Sequence, residues 1–176
     1  HAFFSLLQWC DGLFPSGAFS HSFGLESAVQ SGKVKNGPDL SEWIRAKLHH
    51  QVFPCDLVFL RQAKEAGEQH ALDRIQERDE TAWAMRLPRE IREGGRMIAS
   101  RLIQTAAALY PHTWTQSCGA LLAAGKLKGD PAVAFRIVAV GAKIPLLAAS
   151  LAYVYMLTSG QVSTALRLIA IGQQEA

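Results

Sequence analysis

Apolar residues recur along this chain mostly at helical spacing. Phe3, Leu6, Leu7 and Cys10 stand at i, i+3, i+4 and i+7, which predicts a short first helix over Ala2 to Cys10, stopped by Asp11-Gly12. A second helix is expected from Ser20 to Gln30, burying Phe23, Leu25 or Val29, with Ser31-Gly32 as its stop and a polar turn over Lys33 to Gly37. Pro38 suits a first helical position, and Leu40, Trp43, Ile44, Lys47 and Leu48 carry that helix to about Gln51. Pro54 is expected to separate it from a fourth over Cys55 to Ala66, with Leu57, Val58, Leu60 and Ala63 as its stripe and Gly67 as its break. The charged run from Glu68 to Arg86 predicts two short helices with Leu72, Ile75, Trp83 and Met85 to bury. Pro88 starts the longest predicted helix, to about Leu109, on which Ile91, Gly95, Ile98, Leu102, Thr105 and Leu109 repeat. Gly94-Gly95 within it costs about 1 kcal/mol per glycine, which close approach of another element would explain. After the loop Tyr110-Pro111-His112, short helices are expected near Gln116 to Gly125 and Pro131 to Gly141. Pro145 to Thr158 then presents Leu147, Leu151, Val154 and Leu157 on one face and Tyr153 on another, and Gly160 sets off a last helix, Gln161 to Ile171. No alternating β-branched run reads as a strand. The chain therefore reads as one all-α domain, 1–176, a bundle of about nine or ten helices.

One corner stands out from this pattern. Between Phe14 and Glu26 the chain moves from turn chemistry (Pro15, Gly17) to helix-start chemistry (Ser20, Ser22, Glu26). Three aromatics, Phe14, Phe19 and Phe23, crowd into it beside His21. Solvent-facing turns seldom carry so much apolar mass, so either the core or a partner must cover it.

Composition changes the picture in two ways. At 176 residues, 49% apolar and 19% charged, the chain can bury a substantial core and has apolar surface to spare in its C-terminal third. Such a surplus often ends in a partner interface. A net charge of +3, with no Lys/Arg block among aromatics, excludes a nucleic-acid footprint. The uncharged stretch Ile144 to Gln161 has its strongly apolar part over Ile144 to Leu157, short of the ~20 residues that span a bilayer. No basic region precedes the N-terminal apolar run, so no secretory leader is expected. Cys10, Cys55 and Cys118 are scattered and form no C-x-x-C, which fits a reducing cytoplasm.

Catalytic patterns are absent: there is no phosphate-binding loop, dinucleotide fingerprint, H-E-x-x-H or G-x-S-x-G. His49 and His50 are adjacent and point about 100° apart on a helix, while His21, His70 and His112 each stand alone. Cys55-Asp56 after Pro54 reads as a helix start, with Asp56 favouring the dipole. Arg86, Arg89, Arg92 and Arg96 form a basic stripe, read as a solvated face laced with Glu90 and Glu93. These features describe a binding or scaffolding protein rather than an enzyme.

Two motifs carry a resemblance. Leu6-Leu7-Gln8 followed by Phe14-Pro15-Ser16-Gly17-Ala18-Phe19-Ser20-His21-Ser22-Phe23-Gly24-Leu25-Glu26 resembles the N-terminal signature of the urease accessory protein F (UreF) family. Ser159-Gly160-Gln161-Val162-Ser163-Thr164-Ala165-Leu166-Arg167-Leu168-Ile169-Ala170-Ile171-Gly172-Gln173 resembles its second signature. The run Pro88 to Glu93 with Gly95 is similar to the family's long helix. Gly160 stands where the family often has Asn, and Ala170 where it has proline. The family usually continues past Gln173 with D-G-Q and one or two further helices, so that tail is expected to be missing here.

The resemblance implies a non-enzymatic chaperone of urease maturation, cytoplasmic and without a cofactor of its own. Such proteins dimerise, bind the D (or H) accessory protein, recruit the G protein, a GTPase, and together load nickel into apo-urease. No nucleic acid or membrane is implied as a partner. The expected contact residues are Phe19, Ser20, His21 and Glu26 of the first signature, and Arg167, Leu168, Ile171, Gly172 and Gln173 of the second. Arg167 is the leading candidate, because a single charge in an apolar helix needs an oxygen partner. Two alternatives remain open: a regulator of GTP hydrolysis by the G protein, acting through the Arg86 to Arg96 stripe, and a nickel carrier using His21, His112 or Cys55.

Overall fold

The computed structural model describes residues 2–12, 14–15 and 21–172. Among these the secondary structure is entirely helical, in line with the expected bundle. The α-helices are α1 (Ala2–Cys10), α2 (Leu25–Gln30), α3 (Gly37–Lys47), α4 (Leu57–Glu68), α5 (Leu72–Met85), α6 (Arg89–Leu109), α7 (Thr113–Ala123), α8 (Pro131–Gly141) and α9 (Leu146–Leu168).

The bundle is built around α8. Its sequence is apolar nearly all round, and every residue from Ala132 to Ala139 is buried, beneath α4, α6 and α7. Asp130 caps it, accepting from the N–H groups of Ala132 (2.9 Å) and Val133 (3.2 Å). Asp79 on α5 fixes the approach to that cap, accepting from the N–H groups of Lys128, Gly129 and Asp130. A second, smaller cluster (Leu25, Ala28, Val34, Leu40 and Ala165) lies between α2, α3 and α9.

Several expected breaks are absent. α3 does not end before Pro54: a π-helical stretch, Leu48–Asp56, carries it straight into α4. Pro54 has no N–H to give and its ring crowds the carbonyl four residues back, and the wider π turn relieves that crowding. Gly67 does not stop α4 either. It lies within the helix against α8, where a Cβ would come within 2.7 Å of Val140 Cγ2. The charged run 68–86 holds one helix, α5, rather than two, entered through a tight turn in which His70 takes φ 51°. The two expected C-terminal helices are one: α9 runs through Ser159-Gly160 and, at 23 residues, exceeds the 21 of α6. Conversely α2 starts late, at Leu25 rather than Ser20, because Phe23 and Gly24 both take left-handed conformations (φ 47° and 94°).

One face was also assigned differently from the sequence. Val58 is exposed and Phe59 takes the inner position on α4. On α9, Leu147 and Leu151 of the one face point to solvent, while Tyr153 of the other is almost wholly buried.

The arginine stripe does not exist as one. Arg86 sits in the extended link before α6 and is buried, its Nε donating to Asp130 (2.5 Å) and its Nη2 to Asp56 (2.9 Å). Asp56 is therefore no exposed helix start: it is buried and also accepts from the Tyr153 hydroxyl (3.2 Å). Burial alone would lower the Arg86 pKa, but the carboxylates of Asp130 and Asp56 hold the guanidinium firmly protonated. Arg92 turns back to the carbonyls of Arg86 and Leu87 (2.7 Å each), and Arg89 pairs with Glu93 in solvent.

Candidate functional site

The corner from His21 to Gly24 is where distant parts of the chain meet. Gln161, inside α9 and almost fully buried, donates through Nε2 to the Ser22 carbonyl (3.2 Å) and accepts from Trp43 Nε1 of α3 (3.0 Å). Lys47, one turn further along α3, donates to the Phe23 carbonyl (3.3 Å) and places its ammonium 5.1 Å from the Phe23 ring centre. Trp43 also lies against Gly24, whose ideal Cβ would be 3.8 Å from its indole. On the far side His21 abuts Gly94 of α6, where a Cβ would come within 3.0 Å of Nδ1. Gly95 is as tight against Pro131, so the glycine pair does answer to close approach, from two different elements.

Burial draws the Lys47 pKa down to about 8. The nearby Asp56 carboxylate opposes that and the Arg86 guanidinium adds to it. The ammonium is thus the major form at neutral pH, by about ten to one at pH 7.

The described parts of the two signatures lie together at this end of the bundle. Leu25 and Ala165 share the small cluster, against which Ile169 and Ile171 also pack. Glu26 is exposed in the first turn of α2. Arg167 is exposed on the last turn of α9, with Nη2 donating to Thr164 Oγ1 (3.3 Å). Leu168 and Gly172 are exposed beside it in sequence, while Phe19, Ser20 and Gln173 lie outside the described residues. Phe14 belongs to the main core, so the core covers that part of the corner.

Next to the corner, α1 and α9 leave a groove of about 880 Å3, lined in part by Phe3, Leu7, Leu151, Tyr155 and Phe23. Exposed apolar side chains line it, Phe3 at 66% accessible, Leu7 at 53%, Leu151 at 62% and Tyr155 at 63%, and the same two helices also expose Phe4 (74%) and Leu147 (70%). From Leu146 to Leu166, α9 carries no charge. The sequence pattern found the apolar surplus but did not say which side of α9 faces out. It also missed Trp43, Lys47 and Gln161; a lone glutamine in an uncharged run was the available signal.

Chelating chemistry is sparse. No three of His, Cys, Asp and Glu come together among the described residues. His70 and His112 do not stand alone as expected: their rings are 6.4 Å apart, with His70 stacked on Trp114 and His112 Nδ1 accepting from the Trp114 N–H. The three cysteines are free, and burial pushes Cys10 up to about 11 and Cys118 up to about 12, away from thiolate reactivity.

The UreF family model covers residues 34–176, and the chain belongs to that family. The urease accessory protein UreF of Lachnoclostridium phytofermentans is 37% identical over 171 residues, 97% of this chain and 75% of that protein. That of Kocuria rhizophila is 30% identical over 168 residues, 96% of this chain and 70% of that protein. Both similarities take in nearly the whole chain and so extend N-terminal to the region the family model covers. No helix among the described residues is long and apolar enough to cross a membrane.

Proposed function

We propose that this protein is a non-enzymatic scaffold for nickel-dependent maturation of urease, acting in the cytoplasm as a homodimer that binds the D (or H) and G accessory proteins. The observation that carries the reading is the uncharged α1/α9 face. Its six large side chains expose on the order of 800 Å2, about what one partner contributes to a standard interface. A surface without charges suits a second copy of itself, since an isologous contact sets each residue against the same patch. The signature end, with Glu26, Arg167, Leu168, Ile171 and Gly172 close to the His21 corner, is then left for the D protein.

Size-exclusion chromatography with light scattering tests this on the chain alone and with the D protein. A dimer that moves into a larger complex is expected. A monomer indifferent to the D protein would overturn the reading. Arg167→Ala should weaken the complex about tenfold with unchanged helix content, the loss of one charge-assisted contact.

The GTPase-regulator alternative loses Arg86, whose side chain is largely buried, and Arg92, which turns back to the backbone, and keeps the exposed Arg89 and Arg96 as finger donors. GTP turnover by the G protein that rises with this chain and falls back with Arg89→Ala would revive it. The nickel-carrier reading has no convergent ligand set among the described residues: His21 is packed on Gly94 and His112 caps α7.

A further inference from the structure

The corner at residues 21–24 is held in an unusual way. Phe23 is not glycine, yet takes φ 47°, next to Gly24 at φ 94°. A bulky side chain in the left-handed region is strained, and such a conformation persists only where its surroundings over-determine it. Here they do. The Ser22 carbonyl accepts from both the Leu25 N–H (3.1 Å) and Gln161. The Phe23 carbonyl and ring are both engaged by the one ammonium of Lys47, and Trp43 closes on Gly24. None of these three side chains is needed to make α3 or α9 a helix. Each reaches across to the same four residues.

We propose that Lys47, Trp43 and Gln161 are positioning residues that clamp the 21–24 corner in the conformation the N-terminal signature needs to dock a partner protein. The proposal rests on the docking role given to that signature above. Lys47 is the part of the clamp that can be switched. The groups that face it are the Asp56 carboxylate from the π-helical stretch, the Arg86 guanidinium from the α5–α6 link, and the Phe23 ring and carbonyl. With its pKa near 8, the cation is lost just above neutrality.

The linkage has the same sign for the whole fold and for the corner. Between about pH 8 and the unfolded value of 10.5 the unfolded chain holds a proton that the folded chain has released. Global stability contributed by Lys47 therefore rises with pH across that window. An opening of the corner that returns Lys47 to water takes up the same proton, so the corner tightens over the same range.

The test is hydrogen–deuterium exchange on the full chain at pH 7 and pH 9, read as protection factors at residues 22–25, alongside co-elution with the D protein. Lys47→Met should lower protection there about tenfold at pH 7, the size of one charge-assisted bond, while amides of α8 keep theirs. Wild type should be more protected there at pH 9 than at pH 7, and Lys47→Met should not change with pH. Lys47→Arg, whose charge does not titrate in this range, should stay protected and bind equally at both pH values. Should Lys47→Met fail to fold, that pH-insensitivity of Lys47→Arg decides alone. Equal protection in wild type and Lys47→Met at both pH values would overturn the clamp. A weaker complex with unchanged protection would overturn positioning and make Lys47 a contact residue, leaving the docking reading intact. Lower protection with an unchanged complex would overturn the link between corner and partner. No complex in wild type at any pH would sink the docking reading instead, with the exchange result still judging the clamp.

Discussion

α8 and α9 look alike in sequence and do opposite things. Both are apolar almost all round, and each contains a single arginine. α8 is enclosed on every side, and its arginine, Arg136, is buried with Nη1 donating to the Ile144 carbonyl (3.1 Å). α9 is enclosed on one side only. Tyr153 and Gln161 face in, and Leu147, Leu151 and Tyr155 face out. An apolar helix thus declares that it will be covered, but not by what. For α8 the cover is the chain itself; for α9 the described residues supply only half of it, and the dimer proposed above would supply the rest.

That contrast can be broken at its strongest point first. Phe135→Ala on α8 removes a fully buried ring packed edge-on to Trp9 and Tyr153, and should cost about 3–5 kcal/mol in denaturant unfolding. Leu151→Asp on α9 should leave monomer stability within about 0.5 kcal/mol. Its effect should appear in light scattering, as dissociation of the dimer by two orders of magnitude or so, because a desolvated charge would face its own copy. If Leu151→Asp unfolds the chain, the outer face of α9 is core and the contrast fails. Tyr153→Phe sharpens the inner face: losing the hydroxyl bond to buried Asp56 should cost about 1–2 kcal/mol. The smallest effect has the opposite sign. Gly160 sits mid-helix with open space where a Cβ would go, so Gly160→Ala should add about 0.5–1 kcal/mol in the same unfolding assay.

The sequence pattern located α1 and α8 to the residue, because their apolar spacing and their stops agree. It failed at Pro54, Gly67 and Gly160, where the local preference against helix, about 1 kcal/mol for a glycine, is outweighed by burial on either side. Gly67 is required by Val140, 73 positions away along the chain, which no local reading can see. The signatures were legible as motifs. Their meeting was not, since Gln161 and Ser22 are 139 residues apart and only the folded chain joins them. The side of α9 that faces out was illegible for a simpler reason: a helix apolar on all faces has no direction to read.

The π-helical stretch around Pro54 has a consequence for how this family can vary. It lets one continuous rod serve two separate cores, with Leu40 and Trp43 of α3 turned to the small cluster and Leu60 and Ala63 of α4 turned to the large one. The extra residue in the wide turn works as a phase adjuster between them. Deleting one residue anywhere in Leu48–Asp56 would keep the rod straight and hydrogen-bonded, yet rotate all of α4 by about 100° relative to α3. Arg61 and Lys64 would then take the inward places of Leu60 and Ala63. Length in this stretch is accordingly under tighter constraint than residue identity, and a chain that gains or loses one position there must choose which of its two cores to keep.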